Sequence, residues 1–298
     1  MNLYKINKEY SYTIFFFTLI FLGGEMIDLS LEIPFMTLIC FFLISSIGIT
    51  HGALDNIKGY KIFKKYGIKQ KYFFYFAYIF ISFLVIFFWL FFPFITLSLF
   101  LFTASYHFGK EDSYFTKIKK NKLINLFFLL KGSIVILAPL IFHNKETLEI
   151  FKILNVTYLE INNKVIISIL IISFISNFFI TEDFGASIVD WLTILFLNLT
   201  FTPLIAFTIY FCFLHSVRHS FSLIYEIDKK NFKNGLNEFL KKALPLTLLT
   251  GIMFFLSAYF LSNYFILDEA IMKVIFIGLA SLTFPHILLE YLIEKNEK

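Results

Sequence analysis

The chain has 298 residues, of which 58% are hydrophobic, 21% aromatic and only 16% charged, with a mean hydropathy of +0.78. Apolar runs of membrane-spanning length recur from end to end, which excludes a soluble globular enzyme and predicts an all-α, polytopic integral membrane protein with a single transmembrane domain over residues 1–298. The net charge of +5 does not point to nucleic acid, because the lysines sit in short connections, where they act as topology signals.

A β-barrel would show short alternating segments in place of continuous runs such as 72–92 and 243–260. Taken in chain order, the apolar runs and their polar breaks predict about ten transmembrane helices: 11–23, 34–54, 72–92, 93–108, 123–142, 165–180, 186–200, 202–225, 243–261 and 270–293. The first 22 residues are weakly basic and then apolar, with no small-residue cleavage site behind them, so they read as a first span rather than a removed signal peptide. Cys40 and Cys212 both fall within apolar runs, which gives no basis for a disulfide framework.

Orientation follows from the basic connections. Lys58, Lys61, Lys64, Lys65, Lys69 and Lys71 form one cluster; Lys110, Lys117, Lys119, Lys120 and Lys122 a second; Lys229, Lys230, Lys233, Lys241 and Lys242 a third. With ten spans all three lie on one side, which makes both termini cytoplasmic and the expected location the cell inner membrane, multi-pass. The connection 181–185 fits poorly: it belongs on the cytoplasmic side yet carries Glu182 and Asp183 with no lysine.

That topology sets five of the six histidines at one depth. His51, His107, His215, His219 and His286 all lie toward the ends of even-numbered spans running to the cytoplasm, while His143 stands in a polar outer loop. Imidazoles from several helices converging on one layer are what a metal site near those cytoplasmic helix ends requires. His215 and His219 are four apart, so a helix would place both on one face. Carboxylates recur at the same spacing: Asp55 follows His51, Glu111 follows His107 and Glu290 follows His286, each by four, and are candidates for orienting the imidazoles. Asp190 falls in the same layer as a further candidate, and Arg218 is the sole arginine, expected to bond carbonyls or a carboxylate such as Glu111 or Glu226. Small neighbours, among them Gly48, Gly52, Ala104, Ser105, Gly109 and Ser216, let helices approach closely in lipid, and Gly52 and Gly109 are also places where a helix can break. Imidazole donors without thiolates suit Fe, Zn, Cu or Ni, and spacing alone does not choose among them.

The blocks His51-Gly52-Ala53-Leu54-Asp55, Ser105-Tyr106-His107-Phe108-Gly109-Lys110-Glu111-Asp112, His215-Ser216-Val217-Arg218-His219 and Pro285-His286, in this order on a helical membrane chain, resemble the Brp/Blh family of bacterial and archaeal β-carotene dioxygenases. The resemblance implies cleavage of the central double bond of β-carotene by O₂ at a non-haem Fe(2+), giving two molecules of retinal, with His51, His107, His215 and His219 as iron ligands and His286 beside the iron or in the pocket wall. It also implies an opsin as an acceptor of the retinal, with the lipid bilayer as the source of the substrate. Two other readings of the same histidines stand beside it. One is a non-catalytic membrane carrier of metal or retinoid; the other is a zinc-dependent membrane hydrolase, with Asp55 or Glu111 as its catalytic carboxylate.

Overall fold

The computed structural model describes residues 3–25, 34–114, 116–157 and 162–297, without the side chains of Glu25, His51 and Glu297. Helices dominate because a chain this apolar must satisfy its backbone N–H and C=O groups within each segment. In order they are α1 (Leu3–Glu25), α2 (Met36–Ser46), α3 (Asp55–Lys65), α4 (Lys71–Phe91), α5 (Pro93–Glu111), α6 (Ile124–Gly132), α7 (Ile134–Phe142), α8 (Asn144–Ile153), α9 (Asn163–Ile180), α10 (Phe184–Thr200), α11 (Pro203–Ile209), α12 (Val217–Ile227), α13 (Phe232–Leu261) and α14 (Leu267–Glu297). Among the described residues the sole strand-like pairing is an isolated bridge between Ile118 and Thr181.

Seven helical stretches are long and apolar enough to cross a membrane: Met36–Lys65, Lys71–Phe91, Ile124–Phe142, Asn163–Ile180, Pro203–Ile227, Phe232–Leu261 and Leu267–Asn296. Three further segments expected to span, now α1, α5 and α10, are helical without belonging to those seven. The stretches differ in depth. Pro203–Ile227 is 61% buried, whereas Lys71–Phe91 and Phe232–Leu261 are each 17% buried, so the histidine-bearing stretch is central and the Phe- and Leu-rich ones face outward. The principal core gathers Cys40, Phe41 and Ile44 of α2, Leu97 and Ala104 of α5, Ala206 of α11 and Ile275 and Ala280 of α14. Cys40 and Cys212 are free and buried, as thiols in such a core are expected to be.

Two expected breaks have different outcomes. At Gly52 the chain does leave the α-helix, running through a 3₁₀ turn over Gly48–Gly52 before α3 begins. At Gly109 it does not: α5 continues to Glu111, and Gly109 serves close packing instead. A Cβ there would stand 1.8 Å from the Phe128 carbonyl oxygen, and one on Gly132 would stand 1.9 Å from that of Ser105, so the two glycines bring α5 and α6 backbone to backbone. The stretch 202–225 is not a uniform helix either. It carries a π-helical segment, Tyr210–Ser216, between α11 and α12, and wide turns of this kind concentrate at functional sites.

Two connections contain helices that hydropathy conceals. Residues 55–65, read as part of a lysine loop, form α3, and 144–153, read as an outer loop, form α8 with Thr147, Ile150 and Phe151 buried on one side. His143, at the head of α8, bonds the Asn198 carbonyl at 2.9 Å, away from the other histidines. The acidic connection 181–185 finds its cations elsewhere in the chain. Glu182 pairs with Lys117 at 2.6 Å and Asp183 with Lys8 at 2.8 Å, while Lys119 N–H donates to the Ile180 carbonyl at 2.8 Å. That connection therefore shares a face of the bundle with the second lysine cluster and the first turns of α1.

Candidate metal centre

Four histidines meet in the interior, from three parts of the chain. His107 comes from α5, His215 from the π segment, His219 from α12 and His286 from α14. Ring centroids lie 5.4 Å apart for His107 and His215, 5.3 Å for His107 and His286, and 6.3 Å for His219 and His286. All four are buried, His215 with 1% of its surface exposed. The expected layer of histidines is thus a cluster for these four. The side chain of His51, expected as a fifth member and a ligand, lies outside the described residues; its backbone sits in the 3₁₀ turn beside this cluster.

Each imidazole is held at Nδ1 by a carboxylate. His215 reaches Asp112 Oδ1 at 3.1 Å, His219 reaches Glu111 Oε2 at 2.9 Å, His286 reaches Asp55 Oδ2 at 2.8 Å and His107 lies 3.4 Å from Glu290 Oε2. An ionised carboxylate can only accept, so these contacts assign the proton to Nδ1 and leave Nε2 as the lone-pair nitrogen of an imidazole that has no other carboxylate. His286 differs: its Nε2 also lies 3.5 Å from Glu290 Oε1, placing a carboxylate at both nitrogens.

The pairing differs from the four-residue spacing read in the sequence. Glu111 serves His219 rather than His107, Asp55 serves His286, and Glu290 faces His107 as well as its own neighbour His286. A side chain four residues on lies one turn along the same helix, whereas a ring aimed at the bundle interior presents Nδ1 to the next helix. The carboxylates therefore stitch helices together. Asp55 is itself fixed by the Tyr78 hydroxyl at 3.0 Å.

Asp112 and Tyr210 are functional candidates that the reading of the sequence missed. Asp112 directly follows Glu111 and is buried, accepting from the Tyr210 hydroxyl at 2.7 Å and lying 3.1 Å from Arg218 Nη2 as well as bonding His215. Burial alone would raise its pKa, but Arg218 first and His215 next hold the carboxyl well below the usual carboxylate range. Asp190 pairs with Arg218 Nη1 at 2.5 Å, and that nitrogen also donates to Ser11 Oγ at 3.0 Å. The sole arginine donates from Nε to the Leu214 carbonyl at 2.7 Å, as expected of it, while its carboxylate partners are Asp112 and Asp190 in place of Glu111 or Glu226. Glu226 pairs with Lys58 instead.

The donor set suits a metal. His107, His286 and Glu290 each bring one donor atom within 4.8 Å of the others, and so do Glu111, His219 and Glu290. Buried imidazoles, oriented through Nδ1 and set among aromatic walls, are the nitrogen donors that Fe, Zn, Cu and Ni sites use. Phe108 and Phe211 flank His215 with ring centroids at 4.9 and 5.9 Å.

Comparison with known proteins adds an independent observation. The sequence pattern of the BCD family, beta-carotene 15,15'-dioxygenase, matches residues 42–294. A curated relative, the beta-carotene 15,15'-dioxygenase of uncultured marine bacterium 66A03, is 34% identical over 87 residues, which are 29% of this chain and 30% of that protein. The aligned part thus spans under a third of the relative's length. No solved structure matches the chain.

Proposed function

This chain belongs to the beta-carotene 15,15'-dioxygenase family, and from that membership we propose that it cleaves the central double bond of β-carotene with O₂ to give two molecules of retinal. The observation that carries the reading is the cluster of buried imidazoles, each held at Nδ1 by a carboxylate of another helix or loop. His51, His107, His215 and His219 are the proposed iron ligands, and Fe(2+) when bound would supply the activation of O₂. His286, with carboxylates at both nitrogens, is assigned to the surroundings of the iron and not to its ligand set.

The protein's own residues supply positioning and dryness. Asp112, Glu111 and Glu290 hold the Nδ1 protons of His215, His219 and His107 and so fix both tautomer and ring direction. Phe108 and Phe211 keep water from the reacting polyene. Nothing charged is needed to bind the substrate, a hydrocarbon taken from the bilayer, so this reading calls for an apolar pocket wall beside the histidines. A carotene is about as long as the hydrocarbon core is thick, roughly 30 Å. With the site toward the cytoplasmic ends of the helices, the polyene lies obliquely to bring its middle there. Ten spans with both termini cytoplasmic, in the inner membrane, complete this reading, with an opsin as a taker of the released retinal.

The test is expression in a β-carotene-accumulating bacterium beside the His215→Ala variant, with retinal and residual carotene measured by chromatography. Bleaching with retinal formation by the parent and its loss in the variant is the expected result; persistent carotene with folded, iron-loaded protein would sink it. A second reading, zinc-dependent hydrolysis, rests on one observation, the Glu290 carboxylate shared by both donor groups, which in that reading would act as general base in place of the Asp55 or Glu111 expected from the sequence. Hydrolysis would survive without O₂, so an anaerobic arm separates the two.

A further inference from the structure

Beyond the histidine cluster, a cleft of about 830 Å³ opens where the end of α5, the 116–122 segment, the start of α6 and the last turns of α14 meet. Its lining is divided by chemistry. Ile124 and Phe128 supply an apolar floor, Tyr106 and Tyr114 flank it, and Lys119, Lys120 and Lys122 stand around it. Lys110, also in the lining, is neutralised by an ion pair with Glu294 and lies 5.7 and 5.9 Å from the centres of the Tyr106 and Tyr114 rings.

The charges do not balance. Four lysines and one glutamate line the cleft. Lys119 is engaged with the Phe178 carbonyl, while Lys120 and Lys122 are exposed and, among the described residues, have no carboxylate partner within 4 Å. An anion is therefore the complementary occupant. A soluble anion would satisfy the lysines but leave the floor of Ile124 and Phe128 unused. The outward faces next to the cleft expose Phe102, Leu123 and Leu126, so hydrocarbon continues from the floor onto the surface that meets lipid. Tyrosines at a helix end beside lysines mark the depth of the headgroups.

We propose that this cleft binds one anionic phospholipid, with its phosphate on Lys120 and Lys122 and the first carbons of an acyl chain against Ile124 and Phe128. The site is independent of the cleavage reaction, although Lys110 and Glu294 stand three and four residues beyond His107 and Glu290.

The purified full-length protein in neutral detergent would be titrated with phosphatidylglycerol, phosphatidylcholine or inorganic phosphate, and retained lipid read by native mass spectrometry, with phosphate binding read by calorimetry. Saturable binding of phosphatidylglycerol is expected, at least about tenfold tighter than phosphatidylcholine and weakened about tenfold or more in K120E/K122E. The control K229E/K230E, in another exposed basic connection, should bind as the parent does. Equal binding of the two lipids, or equal loss in the control, would overturn the proposal by reducing it to general charge. Inorganic phosphate binding as tightly as the lipid would overturn it in favour of a soluble-anion site. Should the charge reversal impair folding, K120Q/K122Q carries the same test.

Discussion

Asp112 is where the strongest single-residue prediction lies. Its carboxylate accepts from His215 and Tyr210 and forms an ion pair with Arg218, which is 1% exposed, so this group orients a proposed metal ligand and neutralises part of a buried charge. Asp112→Asn keeps the shape and removes the charge. Metal affinity should fall about 10–100-fold, as it does when a carboxylate behind a metal-bound imidazole is lost. Stability should fall by about 3–5 kcal/mol, because Arg218 loses one of the two buried carboxylates it is paired with. Iron content per chain and thermal melting read the two effects separately. Tyr210→Phe, which removes one donor and leaves the charge, should cost about 1 kcal/mol and retain the metal; a D112N protein that loads iron as the parent does would show that this carboxylate is structural only. The histidines themselves were legible in the sequence, since His107, His215, His219 and His286 recur at one depth. Their partners were not. Asp112 sits beside Glu111 in the same block, and only the packing of α5 against the π segment shows that the two carboxylates diverge, one to His215 and the other to His219.

At the scale of elements, the α5–α6 contact holds the cluster in place. His107 and Glu111 lie two residues either side of Gly109, whose missing Cβ lets the two backbones touch. Gly109→Ala would put a methyl group against the Phe128 carbonyl oxygen and the Gly132 amide, neither of which can rotate away, so the helices must separate. The expected cost is about 3 kcal/mol or more, with retinal formation falling because His107 and Glu111 move together. Gly23→Ala, where among the described residues no neighbouring side chain or other helix lies within 4 Å of the new Cβ, is the matched control and should leave melting temperature and activity unchanged or slightly raised. Melting curves and product assays on the pair check this, and equal behaviour of the two variants would count against close packing at Gly109. Small residues at this position were readable as a packing signal, but not distinguishable from a helix break, since glycine serves both. Hydropathy likewise hid α3 and α8, because a short amphipathic helix alternates polar and apolar residues and resembles a loop when averaged.

For the whole molecule, the contacts made by charged connections define one face. Tyr4 and Lys8 bond Asp183, Glu182 bonds Lys117, Tyr114 bonds Glu294 at 2.6 Å, and the Asn296 carbonyl accepts from Lys65 at 3.4 Å. The start of α1, the 181–185 connection, the end of α5, the end of α14 and the end of α3 therefore lie together. The acidic connection that fitted poorly with the lysine rule belongs with the lysines because it is paired to them, a compensation between distant segments that counting charges loop by loop cannot reveal. Single cysteines at exposed positions test the sidedness, since Cys40 and Cys212 are buried and should stay silent. Lys120→Cys and Glu182→Cys should react with a membrane-impermeant maleimide only after the cells are permeabilised, whereas Asn263→Cys, in the exposed turn between α13 and α14, should react in intact cells. Reaction of Glu182→Cys together with Asn263→Cys would break the Lys117 and Lys8 pairings and force a different span count. Reaction of all three in the opposite sense would keep the fold and invert it, moving the histidine cluster to the outer leaflet.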